Sequence, residues 1–191
     1  MKLLIVSAPR VGGRILSKWL SLELNHMWIH EPLNIKGKRN SGITIEGALK
    51  LLDTKDIVVK CNIGDLETTI PYDELISKVE FDKVITLTRE DTFDAAVSLS
   101  HAIITDNYTQ PYNMKTNWVD DNLHTVRYHE KNMVRWMNEI KKIKNSLEIT
   151  YEGVYLNGSD VEKIKEYLNI KEFKYTRLLD KEHRYRNNKL I

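Results

Sequence analysis

Short stretches with strand character alternate with helical stretches along this chain of 191 residues. Residues 3–6, 57–59 and 84–87 are short, mainly apolar runs rich in β-branched residues, which is typical of strands buried on both faces. The predicted strands are 2–7, 26–30, 56–61, 83–88 and 147–150, and the predicted helices are 13–24, 44–52, 72–78, 92–104, 122–144 and 159–168. Alternation of this kind predicts an α/β fold of three layers, with a central parallel sheet between helices.

The composition limits the class of protein. A net charge of +2 gives no overall case for nucleic-acid binding, so an anion site must come from local clustering. No stretch approaches the roughly 20 apolar residues of a membrane span, and the N-terminal apolar run is too short for a signal peptide. The single cysteine, Cys61, allows no internal disulfide and is compatible with a reducing compartment. We therefore expect a cytoplasmic protein with one domain over residues 1–191 and no nucleic-acid or membrane partner.

The loop after the first strand has the composition of an anion site. Residues 8–14 read Ala-Pro-Arg-Val-Gly-Gly-Arg and lead into an amphipathic helix. This arrangement presents backbone N–H groups and a helix N-terminus to a phosphate-like anion, and Arg10 and Arg14 can neutralise its charge. The alternative is an ordinary turn that uses glycines for its geometry. No lysine follows the second glycine as it does in a Walker A motif, which disfavours an ATPase or GTPase.

Ligands of parallel α/β folds bind beyond the carboxyl ends of the strands. This rule places residues 9–14, 30–31, 60–62 and 89–91 on one rim, because each segment follows a predicted strand. Arg89 at a strand end and Ser98 in the next helix could converge there on a second phosphate. Taken alone, Arg89 is more typical of a surface ion pair, and Ser98 of a serine on a helix face. Residues 105–121 lack periodicity and are predicted to form a long loop over the rim, either a substrate lid or a disordered excursion.

Both anion motifs resemble segments of the sulfotransferase family. The run Pro9-Arg10-x-Gly12, followed by an amphipathic helix, is similar to the family's 5′-phosphosulfate loop. The segment from Arg89 to Ser98 resembles the family's 3′-phosphate motif, an arginine after a strand and a serine in the next helix. The nine-residue step between them is closer to the bacterial trehalose-type branch than to the cytosolic aryl branch.

Three further segments are similar to family motifs in the same order. Glu31-Pro32-Leu33 resembles the Glu-Pro-Leu of carbohydrate sulfotransferases, residues 58–62 resemble a strand ending in Lys-Thr-His, and residues 150–153 resemble Tyr-Glu-Asp-Leu. The resemblance covers residues 3–168 and implies a P-loop-like fold, related to nucleoside-triphosphate hydrolases. It also implies metal-free transfer of a sulfuryl group from 3′-phosphoadenosine-5′-phosphosulfate (PAPS) to a hydroxyl or amine of a small-molecule or carbohydrate acceptor.

The same resemblance assigns the donor site. The residues that it implies are Arg10, Val11, Gly12, Gly13, Arg14, Ile15, Arg89, Ser98, Arg184 and Arg186. In this scheme Arg89 and Ser98 bind the 3′-phosphate of the donor. The tail arginines Arg184 and Arg186 close over that phosphate, unless the tail is simply a frayed basic terminus.

The implied catalytic residues are Arg10, Glu31, His30 and Lys60. Arg10 is expected to contact the sulfuryl group or the bridging oxygen. Glu31 is the expected base and His30 the runner-up, since Asn62 stands where aryl-type members have a histidine and cannot take a proton. Because a proline follows Glu31, we expect its backbone to be extended. An ion pair with a rim arginine is the alternative role for Glu31.

Two departures from the family pattern keep other functions open. Gly13-Arg14 replaces a pair of hydroxyl residues that usually contacts the phosphosulfate, and Asn62 replaces the histidine base. One alternative is a nucleotide-binding protein that has lost catalysis. The other is a P-loop kinase of small molecules, which would need a Walker lysine and a magnesium ligand.

Overall fold

The structure, a computed structural model, describes residues 1–35, 42–107, 117–176 and Leu179. Within this part, five parallel strands form one sheet in the order β2-β3-β1-β4-β5. The strands are β1 (Lys2–Ser7), β2 (Met27–His30), β3 (Ile57–Asn62), β4 (Lys83–Thr88) and β5 (Leu147–Thr150). The parallel sheet predicted from the apolar runs is therefore confirmed, and three of the five strands have the predicted bounds.

Helices surround the sheet. They are α1 (Gly13–Glu23), α2 (Ile45–Leu52), α3 (Ile63–Thr68), α4 (Tyr72–Lys78), α5 (Thr92–Thr105), α6 (Trp118–Asp121), α7 (Leu123–Ile140), α8 (Tyr151–Tyr155) and α9 (Ser159–Tyr167). The chain moves from β1 to β2 in one direction across the sheet and from β3 past β1 to β4 in the other. Right-handed crossovers then place α1 and α7 on opposite faces, where they contact the central strands. This is the predicted three-layer α/β/α fold.

The core lies along the three central strands. Residues 3–6 of β1 and 57–59 of β3 are completely buried, as expected for strands covered on both faces. Trp19 of α1 is also fully buried. Burial of each such side chain stabilises the folded state by about 1.5–3 kcal/mol. These strands therefore give rigid support to the rim segments that follow them.

Several predicted boundaries are wrong. The helix predicted over 122–144 ends at Ile140, because Asn145 takes a positive φ of 57° and turns the chain into β5. Helices α3 and α8 were not predicted, since each follows a strand directly and is only five or six residues long. The loop predicted over 105–121 contains the end of α5 and all of α6, and residues 108–116 lie outside the described part. Among the described helices, none is long and apolar enough to cross a membrane.

Candidate functional site at the carboxyl edge of the sheet

The segments predicted to form a rim do lie at one edge of the sheet. Ser7 at the end of β1 is in register with Asn62 of β3 and Leu87 of β4, and His30 of β2 is in register with Lys60. Neighbouring strands are about 4.8 Å apart, so residues that follow these strands can reach one another. Two clusters of polar side chains result, one around Arg10 and one around Lys60.

The loop after β1 leads into α1 through two glycines that the packing requires. Gly12 has a φ of 87°, and a Cβ on it would overlap the ring of Tyr155, whose hydroxyl donates to the Gly12 carbonyl at 2.7 Å. A Cβ on Gly13 would overlap Oγ of Ser7 and lie 3.2 Å from Cε of Lys60. The loop therefore needs its glycines for close approach as well as for turn geometry.

The start of α1 carries the features of an anion site. Gly12 offers no side-chain cap, and the Ile15 N–H already donates to the Gly12 carbonyl at 3.0 Å, so the N–H groups of Gly13 and Arg14 are left for a ligand. Oγ of Ser7 is fully buried beside Gly13 and has no hydrogen-bond partner among the described residues. Arg14 is exposed on the first turn, Ile15 is half-buried and Val11 is buried. The backbone of residues 12–15 and the Arg14 side chain thus surround one end of the helix.

Arg10 connects the two anion motifs. Its Nε donates to Oγ of Ser98 at 2.8 Å, and Nη1 of Arg89 donates to its carbonyl oxygen at 3.4 Å. Ser98 is fully buried and Arg89 is 7% exposed. Three residues predicted for the donor site therefore contact one another, although Arg10 and Ser98 are 88 positions apart in the sequence.

Arg89 is also held by contacts within the fold. Its Nη2 donates to the carboxylate of Asp94, and its guanidinium lies 4.3 Å from the ring centroid of Tyr151. Its Nε is 4.0 Å from Oε1 of Glu152 and makes no hydrogen bond within the described residues. Arg89 is thus held in a buried ion pair and not in the surface ion pair of the sequence alternative. A phosphate that binds this guanidinium would compete with Asp94.

The second cluster is centred on Lys60, whose side chain is almost fully buried. Nζ of Lys60 lies 2.5 Å from Oε1 of Glu31 and also donates to Oδ1 of Asn62. Nδ2 of Asn62 donates to the same Glu31 oxygen at 2.7 Å. Burial raises the pKa of Glu31, but the Lys60 ammonium and these hydrogen bonds outweigh it and lower the pKa to about 2. Within the described residues, Glu31 is therefore a carboxylate paired with the lysine Lys60.

Asp65 completes this cluster and was not predicted. It lies on the first turn of α3, and its Oδ2 accepts from Nδ2 of Asn62 at 3.2 Å. Burial and the nearby charge of Glu31 raise the pKa of Asp65 to about 6. The sequence signal was the spacing of three residues between Asn62 and Asp65, which brings them together only because a helix begins at once after β3.

The backbone at Glu31 differs from the prediction. Its φ is 52°, in the left-handed region and not in the extended region expected before proline. The turn allows the Glu31 N–H to donate to the Lys60 carbonyl at 2.8 Å, which continues the β2–β3 pairing by one residue. Nε2 of His30 lies 3.7 Å from Oε1 of Glu31, and the His30 ring stacks on Trp28 at 5.2 Å.

Two other observations complete the site. His101, which was not predicted, packs against Trp118 with ring centroids 5.1 Å apart and the rings tilted by 57°. Burial together with the charge of Arg10 lowers the pKa of His101. The tail arginines Arg184 and Arg186 lie outside the described residues. In the described part of the chain, no group of three or more His, Cys, Asp or Glu side chains is arranged to hold a metal ion.

No family model and no curated protein matches this chain. Among solved structures, it is similar to the mouse sulfotransferase SULT7A1 complexed with PAP, with a TM-score of 0.56 and 17% sequence identity. That match covers 95% of this chain and 63% of the mouse chain, so this chain spans less than two thirds of the length of that protein. A fungal RNA kinase matches over 96% of this chain and 95% of its own, with a TM-score of 0.43 and 13% identity. The likeness to the mouse structure supports a sulfotransferase-like fold for this chain.

Proposed function

We propose that the protein is a sulfotransferase that moves a sulfuryl group from PAPS to a hydroxyl or amine of a small-molecule or carbohydrate acceptor. The observation that carries this proposal is the contact of Arg10 with both Ser98 and Arg89. This contact brings together two anion motifs. The loop after β1 resembles a 5′-phosphosulfate loop, and the segment from Arg89 to Ser98 resembles a 3′-phosphate motif. The sulfotransferase-type fold supports the proposal.

In the proposed complex, the N-terminus of α1 holds the 5′-phosphosulfate. The backbone N–H groups of residues 12–15 point toward that end of the helix, and Arg14 adds a positive charge. Arg10 then contacts the sulfuryl group or the bridging oxygen, while Arg89 and Ser98 bind the 3′-phosphate. Arg184 and Arg186 remain predicted ligands of the same phosphate.

PAPS supplies the sulfuryl group and a stable leaving bisphosphate, and the chain supplies positioning and charge. Lys60 lies beside Gly13 at the start of α1, where an ammonium stabilises negative charge that develops on sulfuryl oxygens. Glu31 holds Lys60 in this position through the 2.5 Å ion pair. Glu31 was predicted from the sequence to be the base. Its pKa of about 2 makes the Glu31 carboxylate a weak proton acceptor.

Ligand-dependent stabilisation is the first test of the proposal. The melting temperature should rise with 3′,5′-adenosine bisphosphate and stay unchanged with ATP and Mg²⁺, because ATP lacks the 3′-phosphate that Arg89 and Ser98 bind. Transfer from ³⁵S-labelled PAPS to a panel of sugars, phenols and amines then tests catalysis. Stabilisation by ATP and Mg²⁺ alone would favour a kinase, and bisphosphate binding without transfer would favour a binding protein that has lost catalysis.

A further inference from the structure

Two carboxylates share one amide group beside the donor loop. Nδ2 of Asn62 donates to Glu31 at 2.7 Å and to Asp65 at 3.2 Å. Lys60 donates to Oδ1 of the same amide, and an ammonium has no acceptor, so the amide nitrogen must face the carboxylates. Asn62 therefore holds Asp65 in a fixed place relative to Glu31 and Lys60.

The two carboxylates differ in how they are held. One oxygen of Glu31 accepts from both Lys60 and Asn62, so its charge is compensated by an ion pair. Asp65 is only half-buried and accepts one longer bond from Asn62. The pKa of Glu31 is lowered to about 2 and that of Asp65 is raised to about 6. Glu31 therefore stays ionised at neutral pH, whereas Asp65 is able to exchange a proton near neutral pH.

A continuous set of contacts runs from the donor loop to Asp65. The fully buried Oγ of Ser7, which has no partner among the described residues, lies 2.4 Å from the position that a Cβ on Gly13 would take, and Cε of Lys60 lies 3.2 Å from it. A buried hydroxyl without a partner in the described structure, beside a helix N-terminus, points to a bound anion. Lys60 thus contacts both this anion position and Glu31, and Asp65 is joined to Glu31 through Asn62.

We propose that Asp65, and not Glu31, takes the proton of the acceptor hydroxyl, while Asn62 and Glu31 position Asp65 and Lys60. This inference rests on the proposed function. In the step, the acceptor oxygen forms a bond to sulfur as the bond from sulfur to the bridging oxygen breaks. The electron pair of that bond stays with the leaving 3′,5′-adenosine bisphosphate, and the acceptor proton passes to Asp65 and then to water.

The surroundings of Asp65 give this role a measurable pH dependence. The groups that act on its charge are Glu31, Lys60 and Asn62. On α7, which packs against α3, Arg135 is paired with Glu67. Because the base must be ionised, kcat/KM of the wild type should rise with pH up to about 6 and then level off. Glu31→Gln removes a negative charge that raises the pKa of Asp65. The rise in this variant should therefore move to lower pH without disappearing.

The experiment compares wild type, Asp65→Asn, Glu31→Gln and the control Asp73→Asn, which makes the same change on an exposed position of α4. Sulfuryl transfer is measured from pH 4.5 to 9 and bisphosphate affinity by calorimetry. Asp65→Asn should lose about a hundredfold or more in kcat, keep its bisphosphate affinity within twofold, and lose the rise near pH 6. Asp73→Asn should match the wild type. If Asp65→Asn does not fold, Asp65→Ala with added formate serves instead, and formate should restore part of the rate.

The outcomes separate this inference from the proposed function. Transfer by Asp65→Asn within threefold of wild type, or abolition of transfer by Glu31→Gln alone, would overturn the role of Asp65 and leave the sulfotransferase proposal intact. A rate in Asp65→Ala that formate leaves unchanged would do the same. A wild type that binds the bisphosphate but transfers to no acceptor would overturn the proposed function and this inference together.

Discussion

Nε of Arg10 donates a hydrogen bond to Oγ of Ser98 at 2.8 Å, and this bond joins the loop after β1 to the helix after β4. The Arg10 backbone has a φ of 64°, in the left-handed region that side chains rarely favour. The bond to a buried serine thus holds an arginine on a strained turn at the start of α1. A cation fixed before the ligand arrives is preorganised for charge that develops during transfer.

Arg10→Ala should therefore reduce turnover more than it weakens donor binding. We expect kcat to fall by about a hundredfold, while affinity for 3′,5′-adenosine bisphosphate, which lacks the sulfuryl group, falls by less than tenfold. Steady-state kinetics and calorimetry measure the two quantities.

Ser98→Ala should lower kcat by about tenfold, because it releases Arg10 from its position.

The control for Ser98 lies on the same helix. Ser100 is also fully buried, but its Oγ donates to the Ala96 carbonyl within α5 at 2.8 Å. Ser100→Ala should leave kcat and bisphosphate affinity near wild type. Equal losses in kcat for the two serine variants would show that Ser98 acts through helix packing and not through Arg10.

Arg89→Ala should distinguish two adenine nucleotides. We expect the binding free energy of 3′,5′-adenosine bisphosphate to weaken by about 1.5–3 kcal/mol, the range for hydrogen bonds to a charged group, and that of 5′-AMP to change much less. Arg127→Ala is the matched control, since Arg127 also lies over an aromatic ring, that of Phe93, on the exposed side of α7. Equal losses for both nucleotides would mean that Arg89 supports the fold through Asp94 and Tyr151.

The sequence predicted the sheet because its strands carry their own signal. Buried parallel strands read as nearly continuous apolar runs, and those at 3–6 and 84–87 predicted the bounds of β1 and β4 to the residue. Short helices carry no such signal. The six residues of α3 do not complete two helical turns, so the 3.6-residue periodicity could not separate them from the end of β3.

The same difference decides which site residues could be predicted. Arg10 and Arg89 each follow a strand. Because the carboxyl ends of parallel strands meet at one edge of the sheet, the sequence alone predicts that both arginines lie on one rim. Asp65 lies on α3, and its contact with Asn62 depends on a helix that the sequence did not reveal. The pairing of Glu31 with Lys60 depends on a positive φ at Glu31, which the following proline argued against.

The ion pair of Glu31 with Lys60 predicts a pH-dependent stability. The folded pKa of Glu31, about 2, is below its ordinary 4.5, so the pair stabilises the fold above pH 4.5 and this contribution is lost as pH falls toward 2. Glu31→Gln should lower the unfolding free energy by about 3 kcal/mol at pH 7, and the difference should shrink between pH 4.5 and 2. Urea denaturation across this range measures it. Glu74→Gln, on the exposed side of α4, should show a small difference at every pH.

Gly13→Ala and Gly47→Ala should change stability in opposite directions. A helical glycine replaced by alanine normally gains about 0.4–1 kcal/mol, because the unfolded chain loses freedom. At Gly47 in α2 the nearest atom to a new Cβ is Oγ1 of Thr44 at 3.4 Å, so this gain is expected. At Gly13 the new methyl group would overlap Ser7 and press on Lys60.

Because residues 3–6 of β1 and the stem of Lys60 are buried, neither neighbour of Gly13 can move far, and we expect Gly13→Ala to lose about 1–3 kcal/mol of unfolding free energy. It should also weaken bisphosphate binding by more than tenfold, because α1 and its N–H groups are displaced from the rim. Ser7→Gly combined with Gly13→Ala removes the overlap, so the double variant should be more stable than the sum of the two single changes. Thermal unfolding of the four proteins closes this double-mutant cycle. Additive losses would show that Ser7 does not contact the methyl group added at Gly13.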